Sequence, residues 1–193
     1  MKKVLLLLAN GFEVFEASVF IDVIGWNLVD GDRSTELFSC GLKKETKSAF
    51  NQRFIVDYLI EDINVNDFDA LAIPGGFENY NFYEEAYDER FLNVIREFKK
   101  QNKIIASICV AALPLGKSGI LTGKKGTTYT TRHDRLKAFD VNVINEPIVM
   151  EDNVITSWNP STAVEVALIL LEELTTSENA DYIREIMGFE KKP

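Results

Sequence analysis

The sequence predicts a three-layer α/β domain built on a mostly parallel sheet, and three observations carry that prediction. Short unbroken apolar runs read as strands buried on both faces, as in a parallel sheet. Segments with helical spacing alternate with them along the chain. Gly, Pro and Asn residues fall just beyond the strand ends, where such folds place their ligands.

Residues 4–8 form the first strand. The preceding Met1-Lys2-Lys3 gives the start of the chain the look of a secretory signal. The apolar stretch is only six residues long, 4–9, and runs straight into Asn10-Gly11-Phe12-Glu13, whereas a signal needs a longer core and a small-residue cleavage site. No other apolar stretch reaches the ~20 residues that cross a bilayer, so a cytoplasmic protein is expected. A long helix follows over 14–29, then a strand over 36–39 and a short hairpin arm over 54–56. Residues 70–73 form the third strand, stopped by Pro74-Gly75-Gly76. Helical spacing over 88–101 sets Phe91, Val94, Ile95 and Phe98 on one face. The next strand, 103–108, ends at Cys109. Residues 148–150 and 154–156 flank Glu151-Asp152-Asn153 as a hairpin. Asn159-Pro160 opens a helix running through Val164, Ala167, Leu168 and Leu171 to Leu174, and an amphipathic helix covers 180–187. Without a repeat, low-complexity tract or linker, residues 1–193 read as one domain.

Composition narrows the class of function. At 193 residues, 46% hydrophobic and 26% charged, the chain fits a single globular domain with a filled core. A net charge of −9 argues against nucleic acid and anionic membranes as partners. Two cysteines suit a reducing compartment, and with one histidine they make a Cys/His zinc site improbable.

The stretch richest in chemistry is Ile104-Ile105-Ala106-Ser107-Ile108-Cys109-Val110-Ala111-Ala112. Small residues stand two before and two after the cysteine, as the steric logic of a strand–turn–helix elbow requires. At such an apex the helix N-terminus favours thiolate and leaves backbone N–H groups free. The same run also fits a buried strand in which Cys109 is a small hydrophobe. Glu16 sits among Val14, Phe15, Ala17, Val19, Phe20, Val23 and Ile24. It is either a first-turn acid favoured by the helix dipole or a buried carboxyl with a raised pKa. Glu13 reads as an ordinary first-turn acid facing water. Gly75 and Gly76 fit either a tight turn or close backbone approach to an oxyanion. His133, in a polar stretch, reads as a surface residue, and Cys40 as a core thiol.

Taken together, Ala9-Asn10-Gly11-Phe12-Glu13-Val14-Phe15-Glu16-Ala17, Ala72-Ile73-Pro74-Gly75-Gly76 and the stretch ending at Cys109 resemble the ThiJ/PfpI superfamily. The likeness is strongest to the branch containing the Parkinson's-linked protein deglycase. Thr156-Ser157-Trp158-Asn159-Pro160-Ser161-Thr162-Ala163 matches more loosely. The resemblance implies a flavodoxin-like α/β/α sandwich, usually a homodimer, with no cofactor. It makes Cys109 the elbow nucleophile and Glu16 the acid hydrogen-bonded to its sulfur. Gly75, Gly76 and Val110 would frame an oxyanion, and Tyr129 would line the site.

The activity implied is that of a glyoxalase or deglycase acting on small 2-oxoaldehydes or early glycation adducts. The alternative is a redox-responsive stress protein or chaperone whose Cys109 is oxidised to a sulfinate held by protonated Glu16. Departures from the family pattern are visible. Val110 stands where the protease-like branch carries histidine, which argues against a cysteine peptidase or amidase unless His133 reaches Cys109. Tyr129 replaces a histidine common twenty residues beyond the cysteine, and Asn159-Pro160-Ser161-Thr162 replaces a Gly-Pro-Gly-Thr segment.

Overall fold

A computed structural model describes residues 1–189. Strand β1 (Lys2–Leu8) leads into helix α1 (Val14–Asp30) and strand β2 (Thr35–Gly41). Two short strands, β3 (Glu45–Lys47) and β4 (Arg53–Ile55), pair antiparallel as a small arm before β5 (Tyr58–Leu59) and β6 (Ala70–Ile73). Helices α2 (Phe82–Ala86) and α3 (Glu89–Lys100) precede β7 (Ile104–Ser107) and α4 (Ala112–Ser118). Beyond them lie β8 (Lys125–Gly126), α5 (His133–Lys137), β9 (Asn142–Val143) and the hairpin β10 (Ile148–Glu151) and β11 (Val154–Ser157). Helices α6 (Ala163–Leu174) and α7 (Ser177–Ile186) follow.

The central sheet has the order β10-β11-β7-β6-β1-β2-β5, parallel throughout except for β10 against β11. Helices α1, α6 and α7 pack together on one face, and α3 and α4 with α2 and α5 on the other. This is the expected three-layer arrangement. The middle strands are solid apolar runs because both faces are covered: Val4 to Leu7 and all of β6 are fully buried. Helix α1 is apolar nearly all round, yet it buries only one side. Ala17, Phe20, Val23 and Ile24 face the core, while Phe15, Ile21, Trp26 and Val29 remain exposed.

Helix α3 buries the expected face, Phe91, Val94, Ile95 and Phe98, together with Leu92, and Asp88 caps it by accepting from the Arg90 N–H. At Asn159 the expected helix start is a one-turn 3-10 helix, Pro160–Thr162, that leads into α6. Helix α7 begins three residues earlier than expected, at Ser177, because the Thr176 hydroxyl accepts from the Asn179 N–H.

The topology brings three loops to one end of the sheet. Strands β1, β6 and β7 are neighbours, and their C-terminal ends carry Asn10-Gly11, Pro74-Gly75-Gly76 and Cys109. Backbone hydrogen bonds lace the first two together, from Glu13 N to Gly75 O at 2.8 Å and from Phe77 N to Gly11 O at 2.9 Å. Gly11 is obligatory there, since its φ is +74° and a Cβ would stand 2.5 Å from the Tyr80 carbonyl oxygen. No helix among the described residues is long and apolar enough to cross a membrane.

Candidate active site

The site is built from the end of β7. Ser107 is buried, and its hydroxyl donates to the Ile155 carbonyl of β11 at 3.0 Å. Ile108 is still extended, at φ −115° and ψ 142°. The backbone then turns so sharply that Cys109 adopts φ +59°, in the left-handed region, at the head of a 3-10 turn that leads into α4. A side chain held there costs about 1–2 kcal/mol relative to ordinary backbone, so surrounding contacts must impose it. Two of them are visible: the Ala111 N–H donates to Ile108 O at 3.0 Å, and the buried Thr128 hydroxyl donates to Cys109 O at 2.8 Å. Small residues are needed because the flanks are closed; Ala111 and Ala112 are fully buried.

Beneath the sulfur lies Glu16, 0% exposed on the first turn of α1. One carboxyl oxygen, Oε2, accepts the Gly75 N–H at 2.7 Å. The other, Oε1, is buried with no hydrogen-bond partner, and the carboxyl and the Cys109 thiol lie close enough for each to act on the other's ionisation. Burial pushes the Glu16 pKa up to about 8; the charge of Glu13 adds to this, and the Gly75 N–H opposes it. Burial also raises the Cys109 thiol far above its usual value, with the Glu16 charge acting in the same direction and the Val110 N–H against it. The helix-end effect expected to favour thiolate is therefore outweighed by desolvation. Two acids this close do not both ionise, so the pair carries at most one negative charge across the neutral range.

Above the sulfur a cavity of about 400 Å³ opens to solvent. Cys109, Gly76, Val110 and Tyr129, all expected at the site, line it. Gly75 does not: its N–H is committed to Glu16, and its own bare Cα makes room for the pair. A Cβ there would stand 2.9 Å from Glu16 Oε2 and 3.0 Å from Cys109 Cβ. Phe77, Tyr83 and Arg132, not singled out from sequence, complete the wall together with Glu13 and Pro160. Glu13 is thus half-buried at the cavity rather than an ordinary water-facing acid, and burial raises its pKa. Arg135 stacks on Tyr83, 4.4 Å from the ring centroid, and pairs with Glu78 at 3.2 Å. The chain's one histidine, His133, is not on this wall, and its buried Nε2 has no hydrogen-bond partner. Cys40 lies fully buried in β2, where desolvation drives its pKa up to about 12, so it is an inert core thiol. The described residues contain no group of three or more His, Cys, Asp or Glu able to hold a metal ion.

A family model described as the DJ-1/PfpI family matches residues 2–173. The chain belongs to the DJ-1/PfpI family. Protein DJ-1 homolog A of Arabidopsis thaliana is 28% identical over 193 residues, all of this chain and 48% of that protein. Isonitrile hydratase of Pseudomonas putida is 29% identical over 116 residues, 60% of this chain and 50% of that enzyme. The chain thus spans about half the length of these two relatives. The structure of oxidized DJ-1 from Toxoplasma gondii superposes with a TM-score of 0.85 at 26% identity, covering 99% of this chain and 100% of that one. Elbow, buried glutamate and glycine turn therefore sit on a DJ-1-like fold, and the DJ-1/PfpI family includes enzymes.

Proposed function

We propose that this DJ-1/PfpI protein is a cofactor-independent glyoxalase or deglycase acting on 2-oxoaldehydes or early glycation adducts. The observation that carries the reading is the Glu16 carboxyl, buried, proton-holding near neutrality and interacting with the Cys109 thiol below an open cavity. In the singly ionised pair, the thiol proton passes to Glu16 as the sulfur attacks the aldehyde carbon. The C–S bond forms, the carbonyl π electrons become an alkoxide near the Val110 and Gly76 N–H groups, and Glu16 returns the proton to it. Glu16, again a carboxylate, then removes the C1 hydrogen as a proton, and reprotonation occurs at C2. The first carbon is oxidised and the second reduced, so no external electron acceptor is needed. Water cleaves the resulting thioester to release the 2-hydroxy acid and the thiol. NMR of methylglyoxal with wild type and Cys109→Ala checks this reading, with lactate expected from the wild type alone.

A second reading, a redox-responsive stress protein, is favoured by the same Oε1, which when protonated has a hydrogen bond to offer an oxidised sulfur. Glu16→Gln separates the two, since an enzyme loses turnover and a sensor keeps an oxidisable thiol. The peptidase or amidase reading gains no support, since His133, the base it needs, is not among the residues lining the cavity. The partner in either reading is a second copy of the chain, for which we propose the exposed α1 face bearing Ile21, Trp26 and Val29. Sedimentation equilibrium of wild type and Trp26→Glu checks it, a dimer being expected for the former and a monomer for the latter.

A further inference from the structure

The cavity over Cys109 contains an arginine that the proposed chemistry leaves unused. Arg132 closes a 3-10 turn whose geometry is fixed by its own N–H donating to Tyr129 O at 2.7 Å. Its half-buried side chain lines the cavity, and its guanidinium makes one long hydrogen bond, 3.3 Å to the neighbouring Thr131 hydroxyl. No carboxylate lies within ion-pair distance of it among the described residues, although two acids share its cavity. Glu78 is already held by Arg135. The charge of Glu13 acts on Cys109 and Glu16, whereas that of Arg132 acts on Tyr83. The cavity therefore holds acids that act on the nucleophile and, on the same wall, a cation without an ion-pair partner among the described residues. Its volume of about 400 Å³ exceeds what a three-carbon aldehyde fills.

We infer that Arg132 is a specificity residue that receives a carboxylate, so that the preferred substrates are 2-oxoaldehydes carrying a carboxylate remote from the aldehyde. A planar guanidinium fork matches a carboxylate, and one arginine in an acid-rich surround balances one negative charge better than the two of a phosphate. This substrate class rests on the glyoxalase reading, but carboxylate recognition is measurable without turnover.

The test is the rate of covalent labelling of Cys109, followed on its peptide by mass spectrometry, with two matched pairs of reagents. Iodoacetate is compared with iodoacetamide for short reach, and 3-maleimidopropanoate with N-propylmaleimide for longer reach. The first pair displaces iodide, and the second adds the thiol across a C=C bond. In at least one pair, Arg132→Gln should lower the acid-to-neutral rate ratio about tenfold, as loss of a charge-assisted hydrogen bond predicts. Arg132→Lys should restore part of it, which a merely structural role would not. Unchanged ratios for both pairs in Arg132→Gln would overturn the inference. Wild-type lactate formation from methylglyoxal, measured in parallel, decides the glyoxalase reading separately. An altered ratio without lactate leaves carboxylate recognition standing and removes the substrate class; lactate with unaltered ratios leaves the glyoxalase reading standing and removes both carboxylate recognition and the carboxylated substrate class.

Discussion

At the scale of single residues, Glu16 dominates because its folded pKa, about 8, lies well above the ordinary 4.5. An acid raised in this way binds more protons folded than unfolded, so its contribution to stability is full below about pH 4.5 and is lost as the pH rises through 8. Urea denaturation should show stability falling across that window by up to ~1.4 kcal/mol per unit. Glu16→Gln, which keeps an acceptor for the Gly75 N–H, should flatten the slope. The same ionisation predicts that kcat/KM for methylglyoxal climbs with pH toward 8, since the singly ionised pair is the reactive form. Gly75→Ala would force a methyl group against Glu16 and Cys109 and should cost about 1–3 kcal/mol by overpacking. Calorimetry and the same activity assay check it. Glu16 was legible in the sequence as an acid among apolar neighbours. Arg132 was not: nothing in Thr131-Arg132-His133 says which of three polar side chains turns inward.

The elbow shows how an element enforces a geometry its central residue resists. Cys109 is held in the left-handed region by the chain on either side and by the Thr128 hydroxyl on its carbonyl. Thr128→Val leaves that carbonyl without its buried donor; it should cost about 1–2 kcal/mol and slow alkylation or turnover at Cys109 by loosening its orientation. Denaturation midpoints and Cys109 labelling rates measure the two effects. The strand–cysteine–small-residue pattern made the elbow readable. Helices α4 and α5 were not read because they span seven and five residues, too few for an apolar period to emerge. Strands β8 and β9, two residues each, carry no sequence signal of their own.

For the whole molecule, the parallel order was legible because each central strand is apolar on both faces, and the site followed because three such strands end side by side. What the sequence left open is how remote helices are tied down. Asn27, fully buried on α1, donates to Asp32 at 2.9 Å and Thr35 at 2.7 Å and accepts from Asn179 of α7 at 2.7 Å. That network joins α1, β2 and α7, so Asn27→Ala should destabilise by about 2–3 kcal/mol by leaving several polar groups unpaired. The claim on which the functional account turns is that Glu16 relays the proton for Cys109. The most direct measurement is lactate formation from methylglyoxal by Glu16→Gln, with Cys109 labelling confirming that the thiol is still present and accessible. The account predicts a loss on the order of 10²–10⁴-fold in turnover with the thiol still labelled. Turnover equal to wild type would contradict it.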